Sequence, residues 1–150
     1  MSYLLQITYW TIGGFEGQKP IRQALEEARA LGYQGVELAF GAGELSPSVT
    51  EAQCRRIRDE ADSLGMRLGT LISGYFWSCP LSSPDPARRR EAIDFTRKYI
   101  QAAHWLGVKT ILVIPGAVAV PWDPSVPVVP YQQVWDNATA SIEELLPLAA

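Results

Sequence analysis

Nine of the fifteen aromatic residues, Tyr9, Trp10, Phe15, Phe40, Tyr75, Phe76, Trp77, Trp122 and Tyr131, gather in stretches that follow short apolar runs. A flat ring covers the apolar C–H face of a sugar, and Tyr and Trp add a polar handle for hydroxyl groups. The same rings also suit the plainer task of closing the end of a core, and the residues alone leave both readings open. Glu37 stands between Val36 and Leu38, where a carboxylate is not buried without a partner. It could accept bonds from substrate hydroxyls or orient a base; the structural alternative is an ion pair to a neighbouring strand.

Other reactive side chains are placed less suggestively. His104, the only histidine, shares the polar stripe of a helical segment with Arg90, Asp94, Arg97 and Gln101, which is the pattern of a solvated face. No Ser-His-Asp arrangement is available with His104 there. Arg88, Arg89 and Arg90 could hold a phosphate, but a run of like charges near a helix start more often faces solvent. Cys54 and Cys79 lack metal-ligand spacing, and a reducing compartment keeps both as thiols. Thirteen basic against sixteen acidic residues give a net charge of −3, which does not attract a polyanion, so no nucleic-acid partner is expected. No membrane partner is expected either, since no uncharged apolar run reaches spanning length. The chain reads as cytoplasmic.

These residues are positioned by a pattern that returns three times. Ala28-Arg29-Ala30-Leu31-Gly32, Ala61-Asp62-Ser63-Leu64-Gly65 and Ala103-His104-Trp105-Leu106-Gly107 all read Ala-x-x-Leu-Gly. Before each glycine runs a helical apolar periodicity: Ile21, Ala24, Leu25, Ala28 and Leu31; Cys54, Ile57, Ala61 and Leu64; Phe95, Tyr99, Ala102 and Leu106. Glycine ends each helix by taking the left-handed conformation. After each comes a short apolar run, 35–40, 66–72 and 108–114, and residues 4–9 supply a run before the first helix. Near-continuous apolar runs mark parallel strands covered on both faces. A fourth helix spans about Tyr131 to Leu148, with Val134, Ala138, Ile142, Leu145 and Ala149 on one face and Pro147 awkward in its last turn. Helix starts are signalled by Pro20, by Ser48-Val49-Thr50-Glu51 as a capping box and by Ser82-Ser83-Pro84-Asp85.

Four strands alternating with four helices give an α/β fold with parallel strands and right-handed crossovers, either an open doubly wound sheet or a barrel, and the absence of Gly-x-Gly-x-x-Gly after the first strand favours the barrel. The spacing predicts a (β/α)4 half of a TIM (β/α)8 barrel, parallel strands with outer helices, occupying residues 1–150 and stopping before a fifth strand. Ligands of such a barrel sit at the carboxyl ends of the strands. The connections after the third and fourth strands are long, and the latter carries Pro121, Pro124, Pro127 and Pro130 around Trp122 and Asp123. Open strand edges recruit other strands, so the expected partner is a second copy, forming a homo-oligomer, or a complementing C-terminal half.

Leu31-Gly32-Tyr33-Gln34-Gly35-Val36-Glu37-Leu38, Pro80-Leu81-Ser82-Ser83-Pro84-Asp85-Pro86-Ala87-Arg88 and Leu106-Gly107-Val108 through Val113-Ile114-Pro115-Gly116 resemble the xylose-isomerase-like sugar isomerase and epimerase family. The Leu-Ser-Ser-Pro-Asp-Pro stretch is most similar to its ketose 3-epimerase branch. The resemblance implies a metal-dependent isomerase or epimerase that abstracts a proton beside the carbonyl of a keto-sugar or sugar phosphate. It implies that Tyr9, Trp10, Glu37 and Trp122 belong to the substrate pocket. It also implies a divalent cation, manganese or magnesium, held on later strands; its ligands and the catalytic acid–base pair would lie beyond Ala150, and this chain alone would be inactive. Two other readings use the same fold: a non-catalytic half-barrel that serves assembly, and an abasic-site endonuclease-like metal hydrolase. The latter needs histidines at strand ends and a basic surface, and this sequence offers neither.

Overall fold

A computed structural model describes residues 4–149. The chain divides into two compact units. The first covers residues up to Ser73 together with Tyr99–Leu112; the second covers Gly74–Lys98 and the residues from Val113 onward.

The first unit is built on three parallel strands in the order β1 (Gln6–Thr8), β2 (Gly35–Ala39), β3 (Arg67–Ile72). Gln6, Ile7 and Thr8 pair with Gly35, Val36 and Glu37. β2 and β3 start in register at Gly35 and Arg67, then shift between Val36 and Leu38, so that Leu38 pairs with Leu71 and Ala39 with Ile72. That irregularity sits beside Glu37, as bulges commonly sit where a side chain is re-aimed. Between strands run α1 (Tyr9–Gly13), α2 (Ile21–Ala30) and α3 (Glu51–Ser63). The helix α4 (Pro86–Leu106) contributes its last two turns, from Tyr99, to this unit. Ala24, Leu25, Ala28, Val36, Leu38, Cys54, Ile57, Leu71 and Ala102 are fully buried, which is the apolar layer the periodicities describe.

The thrice-repeated pentapeptide has one physical cause. In each copy the residue after the glycine donates its N–H back to the carbonyl of the alanine: Tyr33 to Ala28 at 3.0 Å, Met66 to Ala61 at 2.9 Å and Val108 to Ala103 at 2.9 Å. Each glycine N–H bonds to the carbonyl three residues back, on Arg29, Asp62 and His104. These paired bonds are the Schellman closure, which requires positive φ at the glycine; Gly32, Gly65 and Gly107 have φ of 88°, 67° and 73°. The alanines are buried, so the repeat couples helix termination to helix seating.

The structure departs from the sequence expectations at five places, the first being Leu31, which ends the apolar periodicity of α2 but stands exposed at its C-cap. The first strand is shorter than residues 4–9, because Tyr9 already opens α1. The expected fourth strand, 108–114, forms a single parallel bridge, Leu71 to Ile111, through Leu71 N–H to Thr110 and Leu112 N–H to Leu71. β3 ends at Ile72, one residue past that bridge, so no ladder develops. The capping box at α3 pairs Thr50 with Gln53 rather than involving Ser48, since the reciprocal partner must stand three residues after the cap. On α5 (Tyr131–Ala149) Ile142 and Ala149 face solvent, while Ser141 turns inward. The turn expected at the end of that helix reaches Ala150, which lies outside the described residues.

The second unit packs the first part of α4 and α5 around Phe76, Leu81, Ala92, Phe95, Ala138 and Leu145. Phe95 is stacked on Tyr75 with ring centroids 3.8 Å apart and meets Phe76 edge-on at 5.9 Å. Asp85 caps α4 by accepting the Ala87 N–H at 2.8 Å. Polar pins seat α5: Ser141 Oγ donates to the Leu81 carbonyl at 2.8 Å, and Asn137 Nδ2 to those of Ser82 and Ser83. Glu144 accepts from both Arg90 and Arg97, at 2.5 and 2.6 Å.

Candidate functional site

The first unit carries three of the four residues singled out for a substrate pocket. Side chains alternate along a strand, so the burial of Val36 and Leu38 sets Glu37 on the opposite face of β2, where it is half-buried. Its Oε1 accepts the Thr70 hydroxyl at 2.8 Å, and Thr8 stands beside it in register. The neighbouring-strand partner is thus a neutral hydroxyl; among the described residues no cation pairs with Glu37. The carboxylate remains an acceptor at the carboxyl end of the sheet.

Tyr9 and Trp10 follow β1 directly. Tyr9 is buried and its hydroxyl donates to the Lys19 carbonyl; burial pushes the phenol pKa up. Its polar handle is therefore engaged within the protein. Trp10 lies against Phe15 with centroids 5.4 Å apart, and Phe15 is exposed, leaving an aromatic pair at the end of β1.

Gln6 and Thr8 were not apparent as candidates from the sequence. Gln6 Oε1 and Thr8 Oγ1 are buried and without a hydrogen-bond partner among the described residues. They share one face of β1, two residues apart, and Thr8 is registered with Glu37. The Gln6 side chain lies across Gly35 and Gly69; a Cβ at Gly69 would fall 2.1 Å from Gln6 Oε1. Strand alternation from Gln6 to Thr8 was the signal available, weakened by the brevity of the strand.

Trp122 belongs to the second unit, which contains a cavity of about 630 Å³ lined by Phe76, Trp77, Arg88, Gly116, Trp122 and Asp123 among others. That volume lies in the range of small-molecule sites. Trp77 and Trp122 meet edge to face at 4.7 Å, and both stay partly exposed. The proline-rich loop is closed on itself by Val129 N–H to the Val118 carbonyl at 2.9 Å. Asp123 accepts from the Ser125 N–H and hydroxyl, at 3.0 and 2.5 Å, which holds its carboxyl below the ordinary range. Ser82 N–H bonds to the Pro115 carbonyl, and a Cβ at Gly116 would fall 1.7 Å from Ser82 Oγ, so the loop approaches closely only through glycine. The wall is chiefly apolar with a few oriented polar groups, an arrangement suited to the two faces of a hydroxylated ring.

The weaker candidates resolve simply. Arg88 and Arg89 donate to the Ser78 and Ser83 carbonyls and Arg90 pairs with Glu144, so the arginine run is engaged within the fold. His104 is exposed. Cys54 is buried, and burial pushes its thiol pKa up to about 11; it is packing material. A divalent cation needs several converging oxygen or nitrogen ligands. Among the described residues no three His, Cys, Asp or Glu side chains come together, so these residues do not build such a site.

Comparison with known proteins gives a consistent picture. A family model described as a xylose isomerase-like TIM barrel matches residues 25–150. Among solved structures the chain superposes on D-psicose 3-epimerase with D-tagatose from Clostridium cellulolyticum H10 with a TM-score of 0.78 at 22% identity. That match covers 96% of this chain and 47% of the other. A D-psicose 3-epimerase in the presence of D-fructose gives a TM-score of 0.77 with the same identity and coverage. A 3-keto-D-glucoside 4-epimerase from E. coli gives 0.63 at 15% identity, over 86% of this chain and 46% of that one. At these identities the likeness is one of fold. The chain spans about half the length of these structures. Among curated proteins no sequence matches it. Among the described residues no helix is long and apolar enough to cross a membrane.

Proposed function

The chain belongs to the xylose isomerase-like TIM barrel family, and from that premise we propose that it forms the N-terminal, substrate-side half of an isomerase or epimerase acting on a keto-sugar or sugar phosphate. Such a reaction removes and returns a proton beside a carbonyl, which requires a positioned base and an electrophile for the enediolate oxygen. In this reading both belong to a complementing C-terminal half, as do the ligands of a manganese or magnesium ion. The present residues bind and orient. In the second unit Trp122 and Trp77 offer an aromatic face to the sugar; in the first, Trp10 offers a ring and Glu37 an acceptor for hydroxyl donors. Tyr9 fixes the segment after β1 through its bond to the Lys19 carbonyl. Cys54 and Cys79, both free thiols, suit a reducing cytoplasm.

The observation that carries the reading is the cavity of about 630 Å³ beside Trp122, in a chain whose structural neighbours are sugar epimerases. The test is titration of D-fructose into the 150-residue chain, followed by saturation-transfer NMR. Saturable binding is expected. Trp122→Ala should weaken it roughly fivefold, because stacking on an aromatic face contributes about 1 kcal/mol. Absence of binding, or binding indifferent to Trp122, would remove the pocket and with it the substrate-side assignment.

A further inference from the structure

Four serines line the cavity of the second unit: Ser78, Ser82, Ser83 and Ser125. Three have their hydroxyls engaged within the protein. Ser78 Oγ donates to the Tyr75 carbonyl at 2.9 Å, Ser83 Oγ accepts the Asp85 N–H at 3.3 Å, and Ser125 Oγ donates to Asp123 at 2.5 Å. Ser82 differs. The residue is 3% exposed, yet its hydroxyl has no hydrogen-bond partner among the described residues. The side-chain oxygens that are both sealed and unpartnered among those residues are Gln6 Oε1 and Thr8 Oγ1. The Ser82 hydroxyl is therefore not sealed; it meets the cavity that Ser82 lines.

The rest of Ser82 is fixed in place. Its N–H donates to the Pro115 carbonyl at 2.9 Å, and its carbonyl accepts the Asn137 amide of α5 at 3.2 Å. The hydroxyl stands in the space that a Cβ on Gly116 would take, 1.7 Å from that position, so glycine at 116 gives it room. An alanine at 82 would keep both backbone bonds and would avoid the cost of withdrawing a hydroxyl from water without a partner. The fold gains nothing from the oxygen. A donor and acceptor held on a fixed backbone, in a wall that is chiefly apolar, is what orients a small polar ligand.

We propose that Ser82 is a specificity-determining residue of this cavity, its hydroxyl exchanging a hydrogen bond with one hydroxyl of the bound sugar. The assignment rests on the sugar reading of the cavity and adds one directed contact to its aromatic faces. Trp77 and Trp122 accept any ring with an apolar side. A hydroxyl at a fixed position discriminates against the analogue that lacks its partner.

The probe is D-fructose, titrated by saturation-transfer NMR into the native chain and into Ser82→Ala, followed by the monodeoxy-D-fructoses. Ser82→Ala should bind D-fructose about fivefold more weakly, the usual worth of one neutral hydrogen bond. Its urea midpoint should match that of the native chain, because the hydroxyl bonds to nothing within the protein. One monodeoxy-D-fructose should bind the native chain about as weakly as D-fructose binds Ser82→Ala, and should bind the variant no worse. A lowered urea midpoint, or an equal loss in Ser82→Ala for every monodeoxy sugar, would overturn the assignment. D-Fructose binding that is saturable in the native chain and unmoved in Ser82→Ala strikes out Ser82 and leaves the sugar reading standing. A native chain that takes up no D-fructose strikes out the sugar reading itself, and Ser82 with it.

Discussion

At the residue scale, chemistry depends on what each side chain is already bonded to. Tyr9 and Glu37 were equally plausible pocket residues in the sequence, yet the Tyr9 hydroxyl is engaged with Lys19 while Glu37, among the described residues, accepts a side-chain bond from Thr70 alone. No pattern of residue types distinguishes these, because the difference lies in contacts made across loops and strands. The reading of Cys54 as core was legible, since it falls in a helical stripe, and its consequence is measurable. Burial pushes its thiol from the ordinary value of 9.0 up to about 11. The folded state therefore holds the proton more tightly, and the associated stability is fully present below pH 9 and is lost as pH rises through 11. Tyr99, raised by burial as well, adds its own loss at higher pH. Urea midpoints measured between pH 8 and 11 should fall steeply in the native chain and less steeply in Cys54→Ala; parallel slopes would show that Cys54 is not protected.

At the element scale, most of the fold was readable because local signals agreed with one another. Each Ala-x-x-Leu-Gly ends a helix by the same pair of hydrogen bonds and seats it by the same buried alanine. The bridge at Ile111 and the inward turn of Ser141 were not readable, because the first depends on where β3 stops and the second on the Leu81 carbonyl. Two substitutions test the elements of the first unit, one the register beside Glu37 and the other the start of α3. Gly35 lies in β2 where an added Cβ would stand 2.6 Å from the Arg67 carbonyl. Neither backbone can yield without disturbing the register next to Glu37, so Gly35→Ala should destabilise by about 1–3 kcal/mol. Thr50→Ala removes the side-chain acceptor for the Gln53 N–H and should cost about 1 kcal/mol. Both are read from chemical denaturation; a Gly35→Ala change within error would mean that the strands separate more easily than their pairing implies.

At the scale of the whole molecule, an inventory of groups separates substrate binding from catalysis. The sheet places acceptors at Gln6, Thr8 and Glu37, and the second unit supplies a cavity with aromatic walls. Among the described residues neither feature brings together the cluster of His, Asp and Glu ligands that tight divalent binding needs. Asp85 and Asp123 do not fill the gap, since each is committed locally, one capping α4 and the other bonded to Ser125. Proton abstraction beside a carbonyl without a positioned base and a matched electrophile loses the factors that make it fast. The 150-residue chain with manganese should therefore show no saturable micromolar heat in calorimetry and no epimerisation of D-fructose by chromatography. Adding a C-terminal half-barrel from a sugar epimerase of this fold is the informative second arm. If turnover then depends on both pieces and falls in Trp122→Ala, the present chain is the binding half of a divided site. If the chain alone turns over substrate with manganese, the acid–base groups lie among residues assigned here to structure, and Asp85 and Asp123 become the first to replace.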